Sequence, residues 1–123
     1  MRISYPDFLD LSLFLTRKRE TGQTRTVRIF IEHGKKDACP YVRDLREVFV
    51  QAGWKPEPVK DLPDGDLKGS AVWFQSAPQD NEAKEFYEKM VRLSQEVHYL
   101  ALKDVSRTEW QFYVKDQWSS QRI

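Results

Sequence analysis

A single cysteine, Cys39, stands in this chain of 123 residues, which excludes an internal disulfide framework and any zinc site built from several thiolates. Histidine is almost as scarce. His33 and His98 are far apart, with no second histidine at helical spacing and neither HExxH nor CxxC, so no metal site is expected. The 5 glycines are scattered. Neither GxGxxG nor GxxxxGK followed by Ser or Thr occurs, and the phosphate-cradling loops of the Rossmann and P-loop types are therefore not expected. Charge of one sign is also missing: 20 basic residues oppose 19 acidic ones, so no global field draws the chain to nucleic acid or anionic lipid. The apolar run near the N-terminus, "FLDLSLFL" at 8–15, is interrupted by Asp10 and Ser12 and falls short of the roughly 20 apolar residues a membrane span needs. No basic segment precedes it and no small-residue cleavage site follows, so a signal peptide is not expected.

What is present suits a folded domain. Apolar residues make up 40% and charged residues 32%, and the length fits one domain around one core. Residues 1–25 read as an N-terminal segment or linker. Pro6 and Asp7 suit a helix start, whereas Leu9, Leu11, Leu13 and Leu15 alternate as in a strand. "TRKRETGQTR", 16–25, reads as a solvated connector, with a basic contact for phosphate or lipid as the other reading. "TVRIFIEH", 26–33, is β-branched, aromatic and nearly continuously apolar, as in a central strand covered on both faces. From Pro40 to Ala52, Val42, Leu45, Val48, Phe49 and Ala52 recur at helical spacing. Pro40 fits the first turn of that helix, Gly53 its left-handed end, and Trp54 folds back on the last turn.

"KPEPVKDL", 55–62, is at best an edge strand because Pro56 and Pro58 cannot donate to a ladder. "SAVWFQSA", 70–77, is a second buried strand, with Trp73 in the core. Ser76, Asp80 and Asn81 offer caps to a helix striped by Ala83, Phe86, Tyr87, Met90, Leu93 and Val97. "HYLALKDV", 98–105, is a further strand, and "TEWQFYVKD", 108–116, alternates as a half-exposed one. The domain is thus expected over 26–118, with 119–123 a tail, and Trp118 packs on the domain or enters an interface. Two strand–loop–helix units followed by strands make tandem βαβ units. They fit an α/β fold with an open, mainly parallel sheet of 4–5 strands and helices packed on it, or a ferredoxin-like βαββαβ α+β sheet.

In the parallel form the first and third strands are neighbours, and ligands bind beyond their carboxyl ends. The ligand-binding candidates are then Glu32, His33, Lys35, Lys36, Asp37 and Cys39 from one loop, and Gln75, Ser76 and Asp80 from the other. A thiolate at Cys39, beside a helix start, and His33 across the loop have the residue types of a nucleophile and base. Nothing in their spacing forces them together, and no catalytic residue is assigned.

"VRIFIEHGKKD", the "QAGW" that closes the first helix and "GSAVWFQSAP" resemble a small α/β domain of uncharacterised bacterial proteins, often attached to membrane helices. The resemblance implies a sensing or interaction domain with no assigned reaction. "IFIEHGKKD" with its helix is also similar to the opening of TIR-like domains, some of which bind or cleave nicotinamide nucleotides, but Glu82 and Glu85 lie in no motif matching that family's catalytic glutamate. The leading expectation is a non-enzymatic binding or interaction module, cytoplasmic or membrane-associated, that needs no cofactor. Its partner is an unknown protein or a small anionic ligand rather than nucleic acid. Any membrane attachment runs through segments outside this chain. A homodimer through an exposed edge is a further expectation, with the C-terminal strand as its seam. The other functional reading is a small enzyme or sensor acting on a nucleotide or other anionic molecule at the same two loops.

Overall fold

The computed structural model describes residues 3–32, 40–62, 72–92 and 97–114. They form an α/β domain of three helices and a mixed sheet, in the order α1 (Tyr5–Glu20), β1 (Thr26–Glu32), α2 (Pro40–Gln51), β2 (Lys60–Leu62), β3 (Val72–Ser76), α3 (Asn81–Arg92), β4 (Val97–Ala101) and β5 (Glu109–Val114). Four strands have five residues or more, and β2 adds a three-residue edge. Across the sheet the order is β2-β1-β5-β3-β4. β1 runs parallel to β2 and to β5, β3 runs parallel to β4, and β3 meets β5 antiparallel.

The tandem βαβ units are therefore present, but β5 lies between them and they run in opposite directions. This corrects the expectation that β1 and β3 are neighbours, and the parallel β1–β2, β1–β5 and β3–β4 pairs are not those of a ferredoxin-like antiparallel sheet. Parallel βαβ crossovers are right-handed as a rule, and two such units related by a half-turn in the sheet plane would carry both helices on the same face. Ring contact between Phe49 of α2 and Phe86 of α3, at 5.5 Å, agrees.

Strand alternation sorts the residues onto that face. Val27, Ile29 and Ile31 of β1 stand in register with Trp110, Phe112 and Val114 of β5. The next pairs are Phe74 with Phe112 and Val72 with Val114, and all eight side chains belong to the buried core. The rings of Phe74 and Phe112 stack at 4.5 Å. Phe49 packs its ring near Trp54, Phe112 and Trp110, at 5.4, 5.7 and 6.2 Å.

Residues 1–25, expected as a preceding segment or linker, supply a helix of this same core. Ser4 caps α1 by accepting the Asp7 N–H at 3.4 Å, and Arg17, Lys18 and Arg19 complement the dipole in its last turn. Leu11, Phe14 and Leu15 are buried at helical spacing, whereas Leu9 and Leu13 are about half exposed at 49% and 50%, so the alternation of leucines does not mark a strand. α1 packs on both α2 and α3. The Trp54 indole N–H donates to the Leu15 carbonyl at 2.9 Å and ties α1 to the chain leaving α2.

α2 ends as its sequence suggests. Trp54 N–H donates to Phe49 O and Gly53 N–H to Val50 O, both at 3.0 Å, with Gly53 at φ +84°, which is a Schellman closure. α3 stops by Arg92, and Val97, expected on its apolar stripe, opens β4 instead. β4 itself is shorter than the 98–105 expected.

Among the described elements, no helix packs on the second face of the sheet, contrary to the two-sided cover expected of β1 and β3. One cross-strand row there runs Lys60, Phe30, Tyr113, Trp73, His98. Apolarity at Phe30 and Trp73 reflects this row rather than an outer layer of helices. Phe30 stacks on Tyr113 at 4.9 Å and Trp73 on His98 at 4.6 Å, so neighbours half-cover one another. Trp73 is half-buried here rather than in the main core, and its indole N–H is buried without a hydrogen-bond partner.

Candidate functional site

The strand directions decide which loops can meet. β1 is parallel to β5, and β5 is antiparallel to β3, so the carboxyl ends of β1 and β3 lie at opposite ends of the sheet. A shared crevice between the loop that follows Glu32 and the loop that follows Ser76 does not form. Glu32 ends β1 beside Leu62, while His33, Lys35, Lys36, Asp37 and Cys39 lie outside the described residues, as does Trp118.

The other three candidates are described and have separate roles. Gln75 is buried on the helix-free face, opposite Gln111. Ser76 points to the covered face, where its hydroxyl shares a hydrogen bond with the Tyr99 hydroxyl at 2.5 Å and donates to the Ala77 carbonyl at 3.1 Å. Asp80 is the N-cap of α3: its Oδ1 accepts the Ala83 N–H at 3.0 Å. Its Oδ2 accepts the Trp110 indole N–H at 2.9 Å and Arg25 Nε at 3.0 Å, and the carboxylate is only 2% exposed. Arg25 Nη2 adds a contact to Oδ1 at 3.3 Å. A buried carboxylate satisfied on both oxygens is an anchor, joining the start of β1, the start of α3 and the centre of the sheet.

Around that anchor lies a groove. The chain enters β1 through Thr24–Thr26, enters β5 through Thr108, leaves α2 through Gly53–Lys55 and leaves β3 through Ala77–Asp80, all at one end of the sheet. One cleft of about 320 Å³ is lined by Thr24, Arg25, Thr26, Trp54, Lys55 and Thr108. A second, of about 170 Å³, shares Arg25 and adds Gln79, Asp80 and Arg107. A third, of about 300 Å³, shares Gln79 and Arg107 and adds Pro78, Lys103 and Val105. Arg25 and Arg107 are thus the walls between adjoining hollows, and the basic side chains follow in the order Lys55, Arg25, Arg107, Lys103.

The loop after β3, singled out from the sequence, does line this groove. Its opposite wall comes from the starts of β1 and β5 and from the β4–β5 loop, which sequence reasoning missed. A trace existed in the alternative reading of "TRKRETGQTR", which contains Arg25, as a basic contact. Lys103 and Arg107 carry no such signal, because "HYLALKDV" and "TEWQFYVKD" read as strands and do not mark the loop that β4 and β5 leave between them.

On the helix-free face, Tyr113 donates to Gln111 Oε1 at 3.0 Å. Burial first, and the negative charge of Glu109 second, push the Tyr113 hydroxyl above its ordinary value of 10.0. In that row Phe30 faces Tyr113 and Trp73 faces His98 as two stacked pairs. β5 is the middle strand, so it cannot be the seam of an edge-to-edge dimer; among the described residues the outer strands are β2 and β4. No helix among the described residues is long and apolar enough to cross a membrane.

No protein-family model matches the chain, and neither does a curated protein or a solved structure.

Proposed function

We propose that this chain is a non-enzymatic binding module whose ligand sits in the groove at the end of the sheet where β3 leaves and β1 and β5 enter. The observation that carries the reading is the continuity of the three hollows through shared Arg25 and Arg107 walls. Loops from several elements of a rigid α/β frame converge there, and such convergence favours a ligand site. The polar groups lining it suit holding rather than turning over a ligand. Asp80, the carboxylate nearest a general base, already accepts three different donors.

A thermal-shift screen against nucleotides, sugar phosphates, amino acids and polyamines tests this directly. A ligand present at about 100 times its Kd stabilises by about 2.7 kcal/mol if it binds only the folded state. The expected result is a hit whose shift is lost in Arg107→Ala and in Gln79→Ala, both exposed positions whose replacement leaves the unliganded melting temperature unchanged. A panel without hits, or hits indifferent to both variants, removes the groove as the site. Conversion of the hit to a new compound, followed by NMR, replaces the binding module with the enzyme.

A further inference from the structure

Resting on that reading of the groove, we infer that its ligand is a small molecule carrying at least two negative charges of the phosphate type, laid along the line from Lys55 to Lys103.

The charge inventory of the walls points there. Four cations line the hollows, Lys55, Arg25, Arg107 and Lys103, against one carboxylate, Asp80. That carboxylate is spoken for, since Arg25, the Trp110 indole and the Ala83 amide converge on it. Asp104, on the same loop as Lys103, lines none of the three hollows. Lys55, Lys103 and Arg107 make no ion pair among the described residues. Cations elsewhere are divided: Arg28 reaches Glu57 and Glu109, Lys18 reaches Glu82 and Glu85, and Lys89 reaches Asp10, whereas Lys60, Lys84 and Arg92 also lack an ion pair among the described residues, so the groove is set apart by three such cations sharing one concave strip. In a chain with a formal net charge of +1, three uncompensated cations along one concave strip make a local field that the whole molecule lacks.

The distribution of the cations, two to each hollow, selects among anions. A single carboxylate or phosphate placed in one hollow meets one or two of these cations and leaves the others unpaired. Two linked phosphates spread over adjoining hollows meet Arg107, which can fork to paired oxygens, together with lysines that act as movable point charges at either end. The hydroxyls of Thr24 and Thr26 make no hydrogen bond within the protein among the described residues, and with the Gln79 amide they are free to donate to phosphate oxygens. Arg25, held by Asp80, keeps a cation at the partition between two hollows without being free to swing out.

The test is calorimetric titration of the whole chain with inorganic phosphate, pyrophosphate, tripolyphosphate, an uncharged nucleoside and a short single-stranded RNA, at two salt concentrations. Affinity is expected to rise about tenfold or more from phosphate to pyrophosphate and to fall with salt, because the cations are exposed and screened. Combined Lys55→Ala, Lys103→Ala and Arg107→Ala substitution should abolish that gain. Lys84→Ala, an exposed cation on α3 outside the groove, should leave it intact. Equal affinity for phosphate and pyrophosphate overturns the inference, as does a triple variant that binds pyrophosphate normally. Tighter binding of the uncharged nucleoside, lost in Gln79→Ala, overturns the anionic ligand while leaving the groove as a binding site. A single-stranded RNA that binds far more tightly than a polyphosphate of equal charge overturns it in favour of a nucleic-acid partner. Failure of every compound to bind overturns this inference together with the reading beneath it.

Discussion

Asp80 shows how one side chain can be read two ways. Its place after a buried strand and before a helix suits a ligand contact as well as a cap, since both use a short carboxylate near free N–H groups. The hydrogen bonds decide for the cap, because the Ala83 amide, the Trp110 indole and Arg25 leave neither oxygen unused. Replacing Asp80 with Ala removes the cap and strands a fully buried indole N–H beside a largely buried guanidinium. The expected loss is about 3 kcal/mol of unfolding free energy, read from denaturant midpoints, with a smaller loss for Asp80→Asn. A loss below about 0.5 kcal/mol would mean that the anchor does not hold these three elements. Tyr113 gives the residue scale a pH signature. Its hydroxyl has a raised pKa in the folded chain, so the folded state keeps the proton that the unfolded state releases first. That contribution is complete below the unfolded value near 10.0 and is lost as pH rises through the folded value. Denaturation of Tyr113→Phe is therefore expected to show a shallower fall in stability above pH 10 than the parent chain, and identical slopes would refute the burial of this hydroxyl.

At the scale of elements, the helix ends were the most legible features, because capping depends on neighbours in sequence. Gly53 and Trp54 close α2 as their order implied, and Asp80 opens α3. Less was legible where two periods coincide. Leucine at every second position from 9 to 15 suggests a strand, yet only Leu11 and Leu15 of the four are buried, joined by Phe14 at helical spacing. The two left-handed glycines among the described residues allow a sharper test. A Cβ on Gly22, at φ +73°, meets nothing within 4 Å, whereas one on Gly53 lies 2.6 Å from Arg19 Nε. Arg19 Nε donates to the Ala52 carbonyl at 2.9 Å, so making room for the methyl breaks a bond at the end of α2. Both Gly→Ala changes carry the left-handed penalty of about 1 kcal/mol, and Gly53→Ala should cost about 1 kcal/mol more. In an Arg19→Ala background that excess should vanish, which a double-mutant cycle by chemical denaturation reads out; an excess that persists would place its cause in the backbone.

For the whole molecule, the strand order was the part that the sequence could not supply. Alternation in "EWQFYV" says that one side of a strand is covered, and β5 obeys it with Trp110, Phe112 and Val114 inward. It does not say which strands flank it. β5 is the last of the described strands yet central in the sheet, because the two βαβ units present their first strands to each other and β5 fills the gap between them. That insertion sends the loops after β1 and β3 to opposite ends, and it replaces a crevice between them with the groove beside β3. The same architecture makes α1 indispensable. α2 and α3 each descend from their own unit, and α1 bridges them through Phe14 on Phe86, at 6.0 Å, and through Leu15 on Trp54. Removing residues 1–21 uncovers Trp54 and Phe86, both now buried and in contact with α1, and deletes the fully buried Leu11 and Leu15. Loss of a single buried leucine costs about 2–5 kcal/mol, so losing both with their helix exceeds the roughly 5–15 kcal/mol stability of an ordinary domain at its lower end. The fragment from residue 22 onward is expected to lack a cooperative thermal transition and the near-ultraviolet dichroism of its packed tryptophans. A sharp transition within a few degrees of the full chain would show that the two βαβ units and β5 cohere without the bridge.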